Sequence, residues 1–164
     1  MTPAVNALKA SKIPHTVYSY ECGVDHDFGR HTAKMLGRDE DAVYKTLIFH
    51  CDKTYVTAVI PVSCTLNLKQ AAKLAGLKKA EMARPEDAER LSGYVVGGIS
   101  PFGQKKRLPT ILDSEAMRHQ EILVSGGRRG LTLGISPGDL VSFLQAKVGE
   151  ITDRRSSGSR DGAQ

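Results

Sequence analysis

Tryptophan is missing from this chain, and phenylalanine and tyrosine together supply only 5% of it. That argues against a single-strand binder built on a row of stacking rings. The three cysteines, Cys22, Cys51 and Cys64, contain no Cys-x-x-Cys pair. An odd count fits no closed disulfide set, so a reducing, cytoplasmic setting is expected. No apolar run approaches the roughly 18 residues of a membrane span, and the opening MTPAVNALKA has no signal-peptide pattern. The five histidines, His15, His26, His31, His50 and His119, lack metal-ligand spacing, and neither a metal nor another cofactor is expected. A Gly-x-Ser-x-Gly elbow is absent too, which removes support for an α/β-hydrolase serine mechanism.

What is present is basic. The 164 residues carry a net charge of +5, with a sequence pI near 9.2. A polyanionic partner and a simple solubility charge both account for that balance. The length fits one domain able to bury its own core.

The local signals alternate irregularly. Thr2 caps and Pro3 opens a short helix holding Val5 and Leu8, which Ile13-Pro14 ends. A strand is expected over His15–Glu21, then a polar loop over Asp25–Gly29 and a brief helix closed by Gly37. Val43–Cys51 and Tyr55–Ile60, joined by Asp52-Lys53-Thr54, form a hairpin. Helices follow from Asn67 to Gly76, from Pro85 to Gly93 and from Ser136-Pro137 to about Lys147. Short strands are expected at Tyr94–Val96, Thr110–Leu112, Glu121–Val124 and Leu131–Ile135. Such an order disfavours a doubly wound parallel sheet and predicts an α+β fold with a mixed, barrel-like sheet flanked by short helices. Residues 1–152 form the domain, and 153–164 (DRRSSGSRDGAQ) read as a disordered polar tail.

The richest segment is VVGGISPFGQKKRLPTILD, Val95 to Asp113. Its glycine spacing mimics a phosphate-binding P-loop, but Gln104 stands where lysine is required and no Ser or Thr follows to hold magnesium. A nucleotide-triphosphatase is therefore rejected. The turn Gly97-Gly98-Ile99-Ser100-Pro101, with Gly103 beyond it, serves either as an oxyanion hole with Ser100 as an extra donor or as a strand-ending turn. Lys105, Lys106 and Arg107 follow it, and Arg128 and Arg129 sit in the turn Ser125–Gly130. These are candidate contacts to nucleic-acid phosphates, the second turn being a hairpin or a phosphate cradle. Lys45 shares a strand face with Val43, Leu47 and Phe49. A lysine there either lines a cavity or snorkels to water.

V-Y-K-T-L at 43–47, G-Y-V-V-G-G-I-S-P-F-G-Q-K-K-R-L-P-T at 93–110 and V-S-G-G-R-R-G-L at 124–131 resemble the YbaK family, free-standing relatives of the editing domain of prolyl-tRNA synthetase. The resemblance runs from residue 1 to about 150. It implies trans-editing: removal of cysteine from mischarged Cys-tRNA(Pro), with the substrate's own thiol attacking its ester, and association with prolyl-tRNA synthetase. It also maps the essential lysine to Lys45, the backbone-donating glycine to Gly97, and pocket residues to Tyr20 and Phe28. One position departs: Thr132 stands where the family often has aspartate, so a charge is lost. Two other readings remain: editing of alanine or another small amino acid by water attack, and a non-catalytic module binding tRNA or a synthetase.

Overall fold

The computed structural model describes residues 1–21 and 28–153, the side chains of 28–30 excepted. Cys22, the expected loop from Asp25 to Asp27 and the tail from residue 154 lie outside the described residues.

Helix α1 (Pro3–Ala10) begins as its sequence dictates. The Thr2 hydroxyl accepts the Val5 N–H at 3.3 Å, and Pro3 occupies a first-turn position that has no intrahelical acceptor for an N–H. Strand β1 (Thr16–Ser19) follows, then α2 (Phe28–Leu36). Phe28 and Gly29, expected in the loop, already belong to that helix. The hairpin of β2 (Tyr44–Cys51) and β3 (Thr54–Pro61) turns on two residues rather than three, since Cys51 pairs with Thr54. Asp52 takes the left-handed conformation there, which aspartate tolerates.

The remaining elements are β4 (Thr65–Leu66), α3 (Leu68–Ala75), β5 (Glu81–Met82), α4 (Pro85–Ser92), β6 (Thr110–Asp113), β7 (Ile122–Arg128), β8 (Leu131–Ile135), α5 (Pro137–Leu144), β9 (Lys147–Gly149) and β10 (Thr152–Asp153). Asn67 Oδ1 accepts the Gln70 N–H at 2.9 Å, and Gly76 and Gly93 end α3 and α4 in the left-handed region, as capping logic expects. Asp153, placed by sequence at the head of the tail, pairs with Thr65.

A five-stranded sheet runs in the order β5-β2-β3-β6-β9, with β3, β6 and β9 parallel and the other pairings antiparallel. A second, antiparallel sheet runs β1-β8-β7, and β4 pairs with β10. A parallel bridge between Val43 and Leu123 joins the two larger sheets. The sheets are therefore mixed and the fold α+β, as expected. Val56, Ala58 and Ile60 of β3 pack with Ala71 of α3, Phe49, Ile111 and Ile151. The opposite face contributes Val59 to a larger core with Leu8, Phe102, Leu133, Ile135 and Leu140.

Two local expectations fail for physical reasons. Tyr94–Val96 is a turn rather than a strand: β6 already has β3 and β9 as neighbours, and the Gly98 N–H closes back on the Val95 carbonyl at 2.8 Å. The Ser125–Gly130 connection is mostly strand. Ser125 pairs with Thr132 and Arg128 with Leu131, so Gly126 and Gly127 form a bulge and only Arg129 and Gly130 make the turn.

Tyr94 anchors the altered segment. Its hydroxyl donates to the Phe102 carbonyl at 2.6 Å. Burial pushes its pKa up to about 12, opposed by a hydrogen bond with the Ala4 backbone. A phenol raised above its ordinary value contributes stability below pH ~10 that is lost as the pH rises toward its folded value. Tyr94→Phe should therefore cost about 1–3 kcal/mol at neutral pH by stranding the carbonyl. Chemical denaturation from pH 9 to 12 should also show a shallower loss of stability in the variant than in the wild type.

Candidate active site

Strand β2 forms the floor of a cavity of about 490 Å³, with every residue from Val43 to Ile48 in its wall. The sequence placed Lys45 in an apolar row, but that row divides. Leu47 and Phe49 pack beneath α3, Val43 meets Leu123, and Lys45 is left half-buried at the cavity.

Tyr20 reaches the wall because β1 is carried onward past its last paired residue. The Tyr20 N–H donates to the Gly130 carbonyl at 2.9 Å, beside the β7–β8 turn. Its hydroxyl contacts the Thr32 hydroxyl of α2, and its ring lies 6.0 Å from that of His31. The end of α2 is tied down in turn by Arg38, which donates to Glu121 at 2.8 Å and to the Tyr18 hydroxyl at 2.8 Å. The bond to Glu121 is the main cause of the raised pKa of that guanidinium. Thr132 is buried in the wall between its strand partners Tyr18 and Ser125.

The glycine loop splits by role. Gly97 and Ile99 line the cavity. Gly97 has φ +93, and among the described residues no acceptor takes its N–H. Gly98, Ser100, Pro101 and Gly103 are not in the wall. Ser100 is fully buried, and its hydroxyl accepts the Phe102 N–H at 3.2 Å, a use internal to the loop. A Cβ on Gly98 would lie 2.7 Å from Arg128 Cα, and one on Gly103 would lie 2.6 Å from the Pro3 carbonyl group. These glycines permit close backbone packing rather than ligand contact.

The five candidate phosphate-binding cations divide as well. Arg128 and Arg129 line the cavity with Ser125. Lys105, Lys106 and Arg107 do not: the first two donate backbone N–H groups to Ser92 and Leu91 at the end of α4, and Arg107 reaches the Phe143 carbonyl at 3.4 Å. Phe28 opens α2, and its side chain lies outside the described residues. Among the described wall residues there are three cations, Lys45, Arg128 and Arg129, and no carboxylate.

Two features escaped the sequence. Thr46 lines the cavity, and its hydroxyl is buried without a hydrogen-bond partner. An apolar stretch made by Ile48, Met82, Ala83, Pro85, Ala88 and Val96 completes the far end. Thr46 could have been suspected from its place beside Lys45, but the apolar stretch needs β5, α4 and the glycine loop brought together. Among the described residues no cluster of three His, Cys, Asp or Glu side chains could hold a metal, and no helix is long and apolar enough to cross a membrane.

The cavity is thus floored by a strand edge and lined by cations and a glycine of the Gly97–Pro101 turn. Residues 30–143 match the aminoacyl-tRNA editing domain, and the chain belongs to that family. It is 37% identical over 154 residues to an Enterococcus faecalis protein named "Putative Cys-tRNA(Pro)/Cys-tRNA(Cys) deacylase EbsC", covering 93% of this chain and 94% of that one. A proline–tRNA ligase of Maridesulfovibrio salexigens is 29% identical over 108 residues, which span 63% of this chain and 18% of the ligase. A solved structure titled as a "putative trans-editing enzyme for prolyl tRNA synthetase" shares the fold, with TM-score 0.80 at 22% identity, covering 92% of this chain and 95% of that one.

Two substitutions test the geometry without a ligand. Thr46→Val removes a buried unsatisfied hydroxyl at nearly constant shape and should gain about 1 kcal/mol, raising Tm by roughly 2–4 °C. Gly98→Ala should lower stability by about 1–3 kcal/mol through backbone collision with Arg128. Thermal unfolding of both variants checks the opposite signs.

Proposed function

We propose that this protein is a trans-editing deacylase that clears cysteine from mischarged Cys-tRNA(Pro). The observation that carries the reading is the convergence of Lys45, Tyr20, Gly97, Arg128 and Arg129 on one cavity. The name of the E. faecalis relative supports the same reading.

An aminoacyl ester is already activated, so its cleavage needs positioning and oxyanion stabilisation more than a strong protein nucleophile. Gly97 supplies the backbone donor for the oxyanion. Lys45 holds the terminal phosphate or ribose of the tRNA, Tyr20 shapes the pocket with Phe28, and Arg128 and Arg129 contact the incoming phosphates. The substrate thiol attacks the ester carbonyl: the S–C bond forms, the ester C–O bond breaks, and the thiol proton passes to the ribose oxygen. The products are a small thiolactone and free tRNA. Cysteine is selected because other side chains lack that nucleophile. This route makes the enzyme formally a lyase, whereas water attack would make it a hydrolase.

The setting is cytoplasmic, and prolyl-tRNA synthetase is the partner that generates the mischarged substrate. Lys105, Lys106 and Arg107, away from the cavity wall, remain available to the body of the tRNA.

Release of amino acid from Cys-tRNA(Pro), Ala-tRNA(Pro) and Ser-tRNA(Pro) tests the reading. Cysteine should be released selectively, and Lys45→Ala should slow that release by about a hundredfold or more. Turnover of Ala-tRNA(Pro) at the rate of Cys-tRNA(Pro) would remove the thiol from the mechanism. No release from any of the three, with or without prolyl-tRNA synthetase, would leave a binding module in place of an enzyme.

A further inference from the structure

We propose that a lysine face laid over the five-stranded sheet binds the phosphate backbone of tRNA outside the cavity. It consists of Lys69 and Lys73 of α3, Lys78 and Lys79 beyond it, and Lys147 of β9, all exposed. The deacylase reading supplies the identity of the RNA, and none of the five residues belongs to the cavity wall.

The five side chains share one side of the sheet. Helix α3 packs Ala71 with Ala58, Ile60 and Ile111. Lys69 and Lys73 are left on its outer face, one turn or about 6 Å apart along the axis. Leu77 and Ala80 pack with the same cluster, so the segment carrying Lys78 and Lys79 lies on that side too. Lys147 pairs with Ile111 of that cluster in a parallel ladder, and Gly149, two residues on, faces Leu74 of α3. Residues at i and i+2 of a strand point the same way, which puts Lys147 on the α3 side.

The charge of this layer is not compensated. From Leu68 to Ala80 there are four lysines and no Asp or Glu. Among the described residues none of the five lysines makes an ion pair, whereas Arg38, Arg84, Arg90 and Arg118 each do. The acids at its border do not oppose it. Asp153 accepts from the Asn67 side chain at 2.9 Å. Glu81 alternates with Met82, which packs with the α3 side, and so points to the opposite face. Glu150 is exposed and pairs with none of the five.

RNA suits this surface better than protein does. Lysine is depleted at protein interfaces, whose centres favour aromatic and apolar side chains. Here α3 has already turned its apolar side to the sheet, and no aromatic residue lies between Leu68 and Ala80. What remains is point charges on flexible stems, which hold phosphates without reading bases. The face also adjoins the site. Lys79 is three residues from Met82 of the cavity wall, about 10 Å at strand rise.

Fluorescence anisotropy of labelled, uncharged tRNA(Pro) across a salt series tests the surface. Lys69→Gln, Lys73→Gln, Lys78→Gln and Lys79→Gln combined should flatten the plot of log K against log salt by about 2–4, near one per lost phosphate contact. Affinity at low salt should fall about tenfold or more. The corresponding Lys→Arg set should keep the wild-type slope. Lys9→Gln with Lys12→Gln, at the exposed end of α1, should change neither quantity and so separates a local face from net charge. In turnover the glutamine set should lose about tenfold in kcat/KM on Cys-tRNA(Pro). It should lose nothing on a cysteinyl ester of adenosine 5′-monophosphate, which is too short to reach the face.

Wild-type slope and affinity in the glutamine set, or an equal loss in the α1 pair, would overturn the surface and leave the deacylase reading standing. Intact tRNA binding with lost binding to prolyl-tRNA synthetase would also overturn it, making the face a protein dock. Lysine-dependent binding by protein that releases no amino acid from Cys-tRNA(Pro) would keep the surface and remove the deacylase.

Discussion

The cavity depends on three chain segments that meet closely at glycines. The loop at Gly98 lies directly on the backbone of Arg128, and Gly103 lies on the backbone of Pro3 and Ala4. Gly127, in the β7 bulge, faces the Tyr94 ring and the Thr2 side chain. The Thr2 hydroxyl donates to the Gly126 carbonyl at 2.5 Å while accepting the Val5 N–H of α1. The start of α1, the glycine loop and the end of β7 are thus fixed to one another by backbone packing at Gly98 and Gly103 and by the Thr2 side chain at Gly126 and Gly127. That contact sets Gly97 and Arg128 on the same rim. A methyl group at Gly98 or Gly103 would have to be absorbed by backbone displacement, because cores close-packed to this degree do not yield cheaply.

On that scaffold the electrostatics are one-sided. Lys45, Arg128 and Arg129 all line the cavity, whose described wall includes no Asp or Glu residue, and their positive charge favours an anionic ligand. Thr132 contributes to this. An aspartate there would place a negative charge in the wall, whereas threonine adds only a hydroxyl.

Local chemistry made much of this legible in advance. Thr2-Pro3, Asn67 with Gln70, and the glycines at 76 and 93 specify helix ends through interactions within a few residues. Lys45 and Gly97 were visible because a lysine in an apolar strand and paired glycines are locally anomalous. What stayed hidden is set by distant partners. Tyr94-Val95-Val96 has a strand-like composition, yet it joins no sheet, and the Gly98 N–H closes a turn onto the Val95 carbonyl. The short strands β4, β5, β9 and β10 carry too few residues for a period to show. Ser100 and the Lys105–Arg107 run read as site residues by proximity in sequence. In space Ser100 turns inward to Phe102, and the run lies along the end of α4.

The site also explains why β2 remains open on one side. Along its whole length β2 pairs with β3, but on its other edge β5 meets only Phe49 and His50, and β7 meets only Val43. Between those points the edge from Tyr44 to Leu47 has no strand neighbour among the described residues, and the Ile48 carbonyl accepts the Ala83 N–H at 3.0 Å. An exposed edge of that length would invite pairing with another chain. Here α4, the glycine loop and the β7–β8 turn stand off from it, sheltering the edge while leaving the cavity beside it. Thr46 lies in the middle of that stretch, and its orphaned hydroxyl belongs to the same arrangement. Adding one more strand would satisfy the edge and fill the site, so the incomplete sheet is the condition for a cavity at this position.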